Sequence, residues 1–463
     1  MPRVRVSSLL LLSQRGQNWR MLNIHVFSQL KPLLSRHLPL YCSAIKTHCS
    51  QIPNIMKKMI CSLLACMSLC ASVAVHAATA PNDTPTVIMI SLDGFRWDYI
   101  EKFDAKNIGA IATHGVRAEQ LRPAYPTKTF PNHITLATGL YPTHHGIVDN
   151  DFCDKQRQQC YKMGDGLKDS TWLKGVPLWN LAEMNGVKAA TYFWPESDAR
   201  IGGMTPSYYF HFSQQADYQD RIDQMVEWLK LPEQARPHFV MGYFSAVDTA
   251  GHLFGPDAPE TAAAVQQVDK LIGRLRDRLK AEVNFPVNLI VVADHGMATI
   301  EPSQAIDYQQ LPIDSSKFNI VNVSTRLLIY AKPDTTKADI AAQQQKLAVA
   351  AHGRYRVLDE QYLAARHYTD SARIADVIIE VDAPALFTKK PLAERDHHGA
   401  HGFSYVKDMG ALFVAEGPAF KQGVMLKPFD NVDVYPMIAH ILGLPLQQPV
   451  DGNIKALLPA LAE

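Results

Sequence analysis

The sequence predicts an α/β fold: a mainly parallel central sheet with helices on both faces and a small inserted subdomain. Two observations lead there. Short continuous runs of β-branched and apolar residues mark strands buried on both faces, and helical patterns between them supply the crossovers that parallel strands need. Residues 85–91 (Pro-Thr-Val-Ile-Met-Ile-Ser) are the first such run, and similar runs recur at 239–244, 288–293 and 411–415. Between them, apolar residues recur at helical spacing over 218–229 and 260–280. A strand at 325–332 and a helix at 339–351 open a smaller subdomain reaching to about residue 382. With no Pro/Gly/Ser-rich linker and no internal repeat, one large domain is expected.

The formal net charge of 463 residues is +1, but the two ends differ. Residues 1–77 hold nine Lys or Arg and no Asp or Glu, leaving 37 basic against 45 acidic side chains in the body, a net of −8. A negative body argues against binding a nucleic-acid duplex, because neutralising phosphates needs a basic stripe. The leader reads as targeting sequence. Met56-Lys57-Lys58 precedes an apolar run from Met59 to Val75, and Val75-His76-Ala77 puts small residues at a signal-peptidase site. We therefore expect a signal peptide at 56–77 and an upstream extension at 1–55 from a start codon assigned too early, with a transit-like extension as the alternative for 1–55. The folded domain is then 82–457, in a periplasmic or secreted protein with no stable membrane span after cleavage. The alternatives are an uncleaved anchor, for which the run is short, and a lipoprotein box at Leu63-Leu64-Ala65-Cys66. Five of the seven cysteines fall in this leader, and Cys153 and Cys160 remain as a close pair. In an exported protein such a pair suggests one local disulfide.

Candidate metal ligands sit where such a fold puts its chemistry. Asp93 closes the first strand in Ile90-Ser91-Leu92-Asp93-Gly94, and Asp294 and His295 close another before Gly296. Sites of open α/β sheets form beyond the carboxyl ends of strands. Neighbouring strand residues point to opposite faces, so Asp294 and His295 meet only if the chain leaves β geometry there, a turn that Gly296 permits. Asp248 and His252 are four apart after the strand at 239–244, and His401 lies between glycine-flanked residues in Gly399-Ala400-His401-Gly402. Each has a bland alternative: a helix cap for a strand-end Asp, a solvated pair for Asp-x-x-x-His. Spacing alone does not choose His401 over His397 and His398. The segment Tyr125-Pro126-Thr127-Lys128-Thr129-Phe130-Pro131-Asn132-His133 is the most specific. Pro131 suits a first helical turn and Gly139 its end. Thr129 then stands at a helix N-terminus, where free N–H groups favour anions, either as a plain N-cap or as a nucleophile activated by metal.

Taken together, Pro-Thr-Lys-Thr-Phe-Pro-Asn-His, Gly-Ile-Val-Asp-Asn (146–150), Phe-Trp-Pro-Glu-Ser-Asp (193–198), Asp-Thr-Ala-Gly-His (248–252), Ala-Asp-His-Gly-Met (293–297) and Ala-His-Gly-Phe (400–403) closely resemble the nucleotide pyrophosphatase/phosphodiesterase family of the alkaline phosphatase superfamily. The resemblance runs in order over roughly residues 85–445. It implies an alkaline-phosphatase-like fold with two Zn²⁺, one held by Asp93, Thr129, Asp294 and His295 and the other by Asp248, His252 and His401. It also implies Thr129 as nucleophile, Asn150 with the Phe130 N–H as phosphoryl donors, and Phe130, Tyr243 and Trp194 as pocket walls with Asp198 nearby. Core packing is the alternative for Trp194. The Cys-rich modules and nuclease-like domain of vertebrate members have no counterpart in the sequence.

The expected function is hydrolysis of nucleotide pyrophosphates or phosphodiesters through a covalent threonine intermediate, releasing nucleoside monophosphates from a small-molecule substrate. Three carboxylates and the Thr129 alkoxide already offset two Zn²⁺, and the motifs offer no Arg for a dianionic monoester, which favours diesters. The runner-up on the same site is a lysophospholipid or choline-phosphodiester phosphodiesterase. A sulfatase would need a Cys/Ser-x-Pro-x-Arg segment, which is absent. A zinc-binding protein without turnover is the reading from another class.

Overall fold

β-Branched residues favour a pleated backbone, and in a strand successive side chains face opposite ways. All seven residues of Thr86–Leu92 are buried, so both faces of the sheet they occupy are covered. The structure, a computed structural model, describes residues 84–390, 392–393 and 398–462. The expected leader and signal at residues 1–77, with the five cysteines they contain, and His397 lie outside the described residues. Ala80–Glu463 forms one compact unit.

The central sheet uses eight strands: β1 Thr86–Leu92, β2 Val116–Ala118, β3 Ala189–Tyr192, β4 Tyr208–Phe210, β5 Phe239–Phe244, β6 Val287–Val292, β7 Phe413–Glu416 and β8 Val424–Leu426. Their spatial order is β8-β2-β7-β6-β1-β5-β3-β4. β1 lies between β5 and β6, parallel to both, with Val87 opposite Phe239 on one side and Asn288 on the other. β7 alone runs antiparallel, pairing with β6 and β2. The apolar run at 411–415 predicts that strand but not its direction. The direction follows from connectivity, since the chain reaches β7 from a loop at the carboxyl end of the sheet and can only run back down.

Helices pack as two groups. Pro259–Glu282 packs against both Lys106–His114 and Tyr218–Leu229, and Thr129–Thr138 (α1), Leu178–Met184 and Val434–Ile441 contact one another. Helix α2, Ala246–Phe254, follows β5 and packs on Pro259–Glu282. The expected subdomain is present as a separate four-stranded sheet of Phe318–Asn322, Arg326–Ala331, Val377–Glu380 and Arg356–Val357 in that order, all antiparallel. Its helix Lys337–Ala350 begins at a capping box in which Thr336 and Asp339 satisfy each other's backbone N–H. Cys153 and Cys160 form a disulfide across the hairpin of Asp151–Asp154 and Gln159–Lys162. Among the described residues, no helix is long and apolar enough to cross a membrane.

Candidate active site

Three neighbouring strands deliver the reactive side chains to one end of the sheet. Asp93 follows β1 directly, its N–H still bonded to Phe244 O of β5 at 2.9 Å. After β5 the chain enters α2, which carries Asp248 and His252 one turn apart on one face. β6 ends at Val292, so Asp294 and His295 lie beyond regular β geometry, as their convergence requires. Two glycines let these corners close. Gly94 has φ +70°, and a Cβ there would stand 2.9 Å from Asp248 Cα. Gly296 is needed for a different reason than its turn: its φ is not positive, but a Cβ would lie 2.0 Å from Asp408 O.

The ligand atoms gather into two groups of three. Those of Asp93, Asp294 and His295 lie within 4.8 Å of one another, as do those of Asp248, His252 and His401. His295 Nε2 is 3.0 Å from Asp294 Oδ2 and 3.5 Å from Asp93 Oδ1. Asp248 Oδ1 is 3.4 Å from His252 Nε2 and 3.6 Å from His401 Nε2. The His295 and His401 rings stack with centroids 3.5 Å apart and so join the groups. His398, one of the rivals considered, belongs to neither.

Second contacts fix which atoms face inward. His252 Nδ1 pairs with Gly399 O at 2.8 Å, His295 Nδ1 with Gly296 O at 2.9 Å and His401 Nδ1 with Thr127 O at 2.8 Å. A carbonyl only accepts, so each Nδ1 carries the hydrogen and each Nε2 is the ligating atom. Asp93 Oδ1, Asp294 Oδ2 and Asp248 Oδ1 are buried without a hydrogen-bond partner, and each is the oxygen turned toward its group's imidazole. Buried polar atoms left open are costly, and three converging in this way are the mark of a divalent-cation site. Burial pushes the Asp93 and Asp294 carboxyls well above the ordinary range, followed by repulsion from Asp294 and Asp248 in the case of Asp93 and from Asp248 in the case of Asp294. Burial, then the neighbouring His295, Lys128 and His252, hold His401 well below its own. Mixed carboxylate and neutral imidazole donors fit divalent cations such as zinc.

Thr129 is the first residue of α1, and its side chain does not cap the helix, whose N-cap is Lys128. Its Oγ1 instead lies 3.3 Å from His295 Nε2, on the first ligand group. His133 anchors the helix beneath it, with Nδ1 donating to Thr129 O at 2.8 Å and Nε2 accepting from Ser91 Oγ at 2.8 Å. Asn150 Oδ1 accepts from Phe130 N–H at 3.0 Å, so in this structure the two expected phosphoryl donors are bonded to each other. That contact orients the amide and leaves Nδ2 as its donor. Tyr243 donates to Asp93 Oδ2 at 2.5 Å, which turns Oδ1 toward the ligand group, a role its sequence neighbourhood does not reveal. Trp194 spends its indole N–H on His133 O at 3.2 Å while its ring walls the cavity.

The cavity has a volume of about 550 Å³ and runs from Thr129 and the ligands past Phe130, Tyr243 and Trp194. Its mouth carries Met163, Leu167, Phe210 and Phe212, all exposed, with Asp198 paired to His211 at 3.0 Å. Lys128 stands inside the most specific motif, but a lysine beside a turn reads as solvated from sequence. It is only 7% exposed, and its ammonium has no hydrogen-bond or ion-pair partner among the described residues. Burial lowers it to about 8 against the pull of Asp149 and Asp248.

Glu196, in the cavity wall at φ +61°, is likewise buried. Its Oε1 accepts from Tyr161 OH and from Gly166 N–H, and burial raises it to about 7. Because the folded value is raised, its contribution to stability is full below 4.5 and is lost as pH climbs to about 7. Glu196→Gln keeps an acceptor and cannot ionise. The variant is expected to gain up to about 3 kcal/mol on the wild type between pH 5 and 8, read as the difference between their melting-temperature profiles. Parallel profiles would contradict this.

The family model for type I phosphodiesterase / nucleotide pyrophosphatase matches residues 87–404, from β1 through the His401 loop. The chain belongs to that family. It is 35% identical over 394 residues to an uncharacterized pyrophosphatase/phosphodiesterase of Schizosaccharomyces pombe, covering 81% of this chain and 80% of the relative. Ectonucleotide pyrophosphatase/phosphodiesterase family member 3 of Bos taurus is 35% identical over 398 residues, covering 80% of this chain and 43% of its own length. The venom phosphodiesterase of Naja atra is 33% identical, with 83% and 47% covered. The chain thus spans a little under half the length of these two relatives. Among solved structures, human ectonucleotide pyrophosphatase / phosphodiesterase 5 superimposes with a TM-score of 0.76 at 27% identity, covering 82% of this chain and all of that one. An inactive threonine-to-alanine form of the murine protein, in complex with AMP, gives 0.74 at 26%, with the same coverage. The family's alkaline-phosphatase-like α/β fold is therefore the fold of this chain, as its motifs imply.

Proposed function

We propose that this protein is an exported, zinc-dependent hydrolase of nucleotide pyrophosphates and phosphodiesters that works through Thr129. The observation that carries the reading is a hydroxyl at a helix N-terminus, on one three-ligand group and beside a second, at the floor of an aromatic-walled cavity. The AMP bound by the murine relative, and that relative's inactivation by a threonine-to-alanine change, support it.

Zinc ions held by Asp93, Asp294, His295 and Thr129, and by Asp248, His252 and His401, would supply Lewis-acid activation and neutralise charge at phosphorus. Thr129 Oγ1 forms a bond to phosphorus as the bond to the leaving oxygen breaks, and the hydroxyl hydrogen departs with the leaving group. Water then displaces Thr129 from phosphorus, restores its hydroxyl hydrogen and releases a nucleoside monophosphate. The positive end of the α1 dipole faces the phosphoryl group, Asn150 Nδ2 donates to one of its oxygens, and Phe130 and Tyr243 hold the base between apolar faces.

We infer that Lys128, next to Thr129 and near enough for its charge to act on Asp248 and His401, favours a pyrophosphate over a choline diester, because an ammonium there attracts a second phosphate and repels a quaternary amine. Lys128→Met is expected to lose about ten- to hundredfold more kcat/KM on a nucleoside triphosphate than on a nitrophenyl nucleotide ester, the worth of one hydrogen bond to a charged group. Equal losses on both would contradict that preference. The reading as a whole is tested by a panel on residues 78–463: a nucleoside triphosphate, a dinucleotide polyphosphate and a choline phosphodiester, each with and without chelator. Chelator-sensitive release of nucleoside monophosphate supports it, and preferential cleavage of the choline ester would move the assignment to the lipid-type reading. Export implies that mature material begins near residue 78. N-terminal sequencing that found residue 1 would contradict the assigned leader.

A further inference from the structure

The inserted subdomain reaches the loop beside Thr129 through a buried ion pair. Arg326, on the strand Arg326–Ala331, donates from Nη2 to Asp149 Oδ2 at 2.6 Å, and neither side chain has any exposure. Asp149 Oδ1 accepts the backbone N–H of Asn150 at 2.8 Å. Asn150 Oδ1 accepts the N–H of Phe130, the residue after Thr129. Two neighbours grip the same loop: Tyr368 OH donates to Val148 O at 3.0 Å and Arg373 Nη1 to Gly146 O at 2.6 Å.

Stability alone does not account for this pair. Taking a guanidinium and a carboxylate fully out of water offsets most of their attraction, and apolar residues of similar volume serve the fold as well or better. Arg326 is also under-satisfied, with Nε and Nη1 lacking any hydrogen-bond partner. What the pair does fix is direction. The single Nη2 contact on one carboxylate oxygen leaves the other to hold the Asn150 backbone, and with that backbone held and its Oδ1 on the Phe130 N–H the Asn150 side-chain amide keeps one orientation over the end of α1.

We propose that Arg326 is a positioning residue for catalysis: through Asp149 it sets the side-chain amide of Asn150 so that its N–H group is aimed at the phosphoryl oxygen. This rests on the assignment of Asn150 as a phosphoryl donor. It gives the inserted subdomain a catalytic purpose, since the Arg326–Asp149 link spans 177 positions of sequence.

The test is a double-mutant cycle on the full mature chain, following hydrolysis of a nitrophenyl nucleotide ester with zinc content and melting temperature measured on the same preparations. Arg326→Lys keeps the charge and loses the Nη2 contact to Asp149 Oδ2. It is expected to lower kcat about tenfold or more, the usual loss on removing a supporting contact, with KM within about twofold and zinc unchanged. Asn150→Ala is expected to lower kcat/KM by roughly 10²–10³-fold. With both changes, the activity should equal that of Asn150→Ala alone within about twofold, because a residue that acts only through Asn150 has nothing left to position. If the two losses multiply, Arg326 acts on the fold rather than on Asn150 and the proposal falls. If Asn150→Ala itself is harmless, the phosphoryl-donor assignment has failed instead. Should Arg326→Lys not fold, Asp149→Asn carries the same cycle, because it keeps an acceptor for the Asn150 N–H while weakening the hold of Arg326.

Discussion

Thr129→Ala is expected to lower phosphodiester turnover by roughly three orders of magnitude or more, the scale of losing a reacting group, in a protein that still folds and still binds metal. The geometry separates these properties. The hydroxyl does not cap α1, so its loss removes no helix-end bond, and its one polar contact among the described residues is His295 Nε2 at 3.3 Å. Six ligand side chains remain in two groups, so zinc content should largely persist. Thr129→Ser restores a hydroxyl at the same backbone position and should recover part of the rate. Metal content, melting temperature and kcat/KM measured together decide the matter. Near-normal turnover in Thr129→Ala would remove the covalent step, and loss of metal with loss of rate would make Thr129 a ligand first.

Removing the metal is the second large effect. Dialysis against a chelator should lower turnover by roughly 10²–10⁴-fold or more, since Lewis-acid stabilisation is worth several kcal/mol. It should also lower the melting temperature, because a ligand bound at a thousand times its Kd stabilises the folded state by about 4 kcal/mol. The physical reason lies in the three carboxylate oxygens that no protein donor satisfies. Without cations they are like charges packed in a buried space, and with cations they are ligands. Two equivalents of zinc per chain should restore both rate and stability. Full recovery with one equivalent, or with magnesium alone, would contradict two mixed nitrogen–oxygen sites.

Much of this site is legible in sequence because the reporting residues are local. Asp93 and Asp294 announce themselves at the ends of apolar runs, and the Thr129 segment carries its own helix signals. Harder to read is whatever depends on a distant partner. Nothing around Tyr243 shows that its hydroxyl will hold Asp93, 150 positions away. Arg326 and Asp149 are ordinary surface-type residues until the fold buries both. The direction of β7 is invisible in its apolar run, because periodicity reports burial and not connectivity. Lys128 shows the opposite failure: it sat in the quoted motif, but its burial comes from packing against Gly402, where a Cβ would lie 2.3 Å from its Cε. His401 separates from His398 by spatial convergence, which spacing along the chain does not encode.

The central claim is that phosphorus is transferred to Thr129 before water takes it, and the stereochemistry at phosphorus tests it most directly. A nucleotide phosphorothioate diester of one configuration, hydrolysed in oxygen-18 water, yields a product whose configuration records the number of displacements. Each in-line displacement inverts the centre, so two restore it. Overall retention is the predicted result. Overall inversion would mean that water attacks in a single step, and it would contradict Thr129 as a covalent nucleophile.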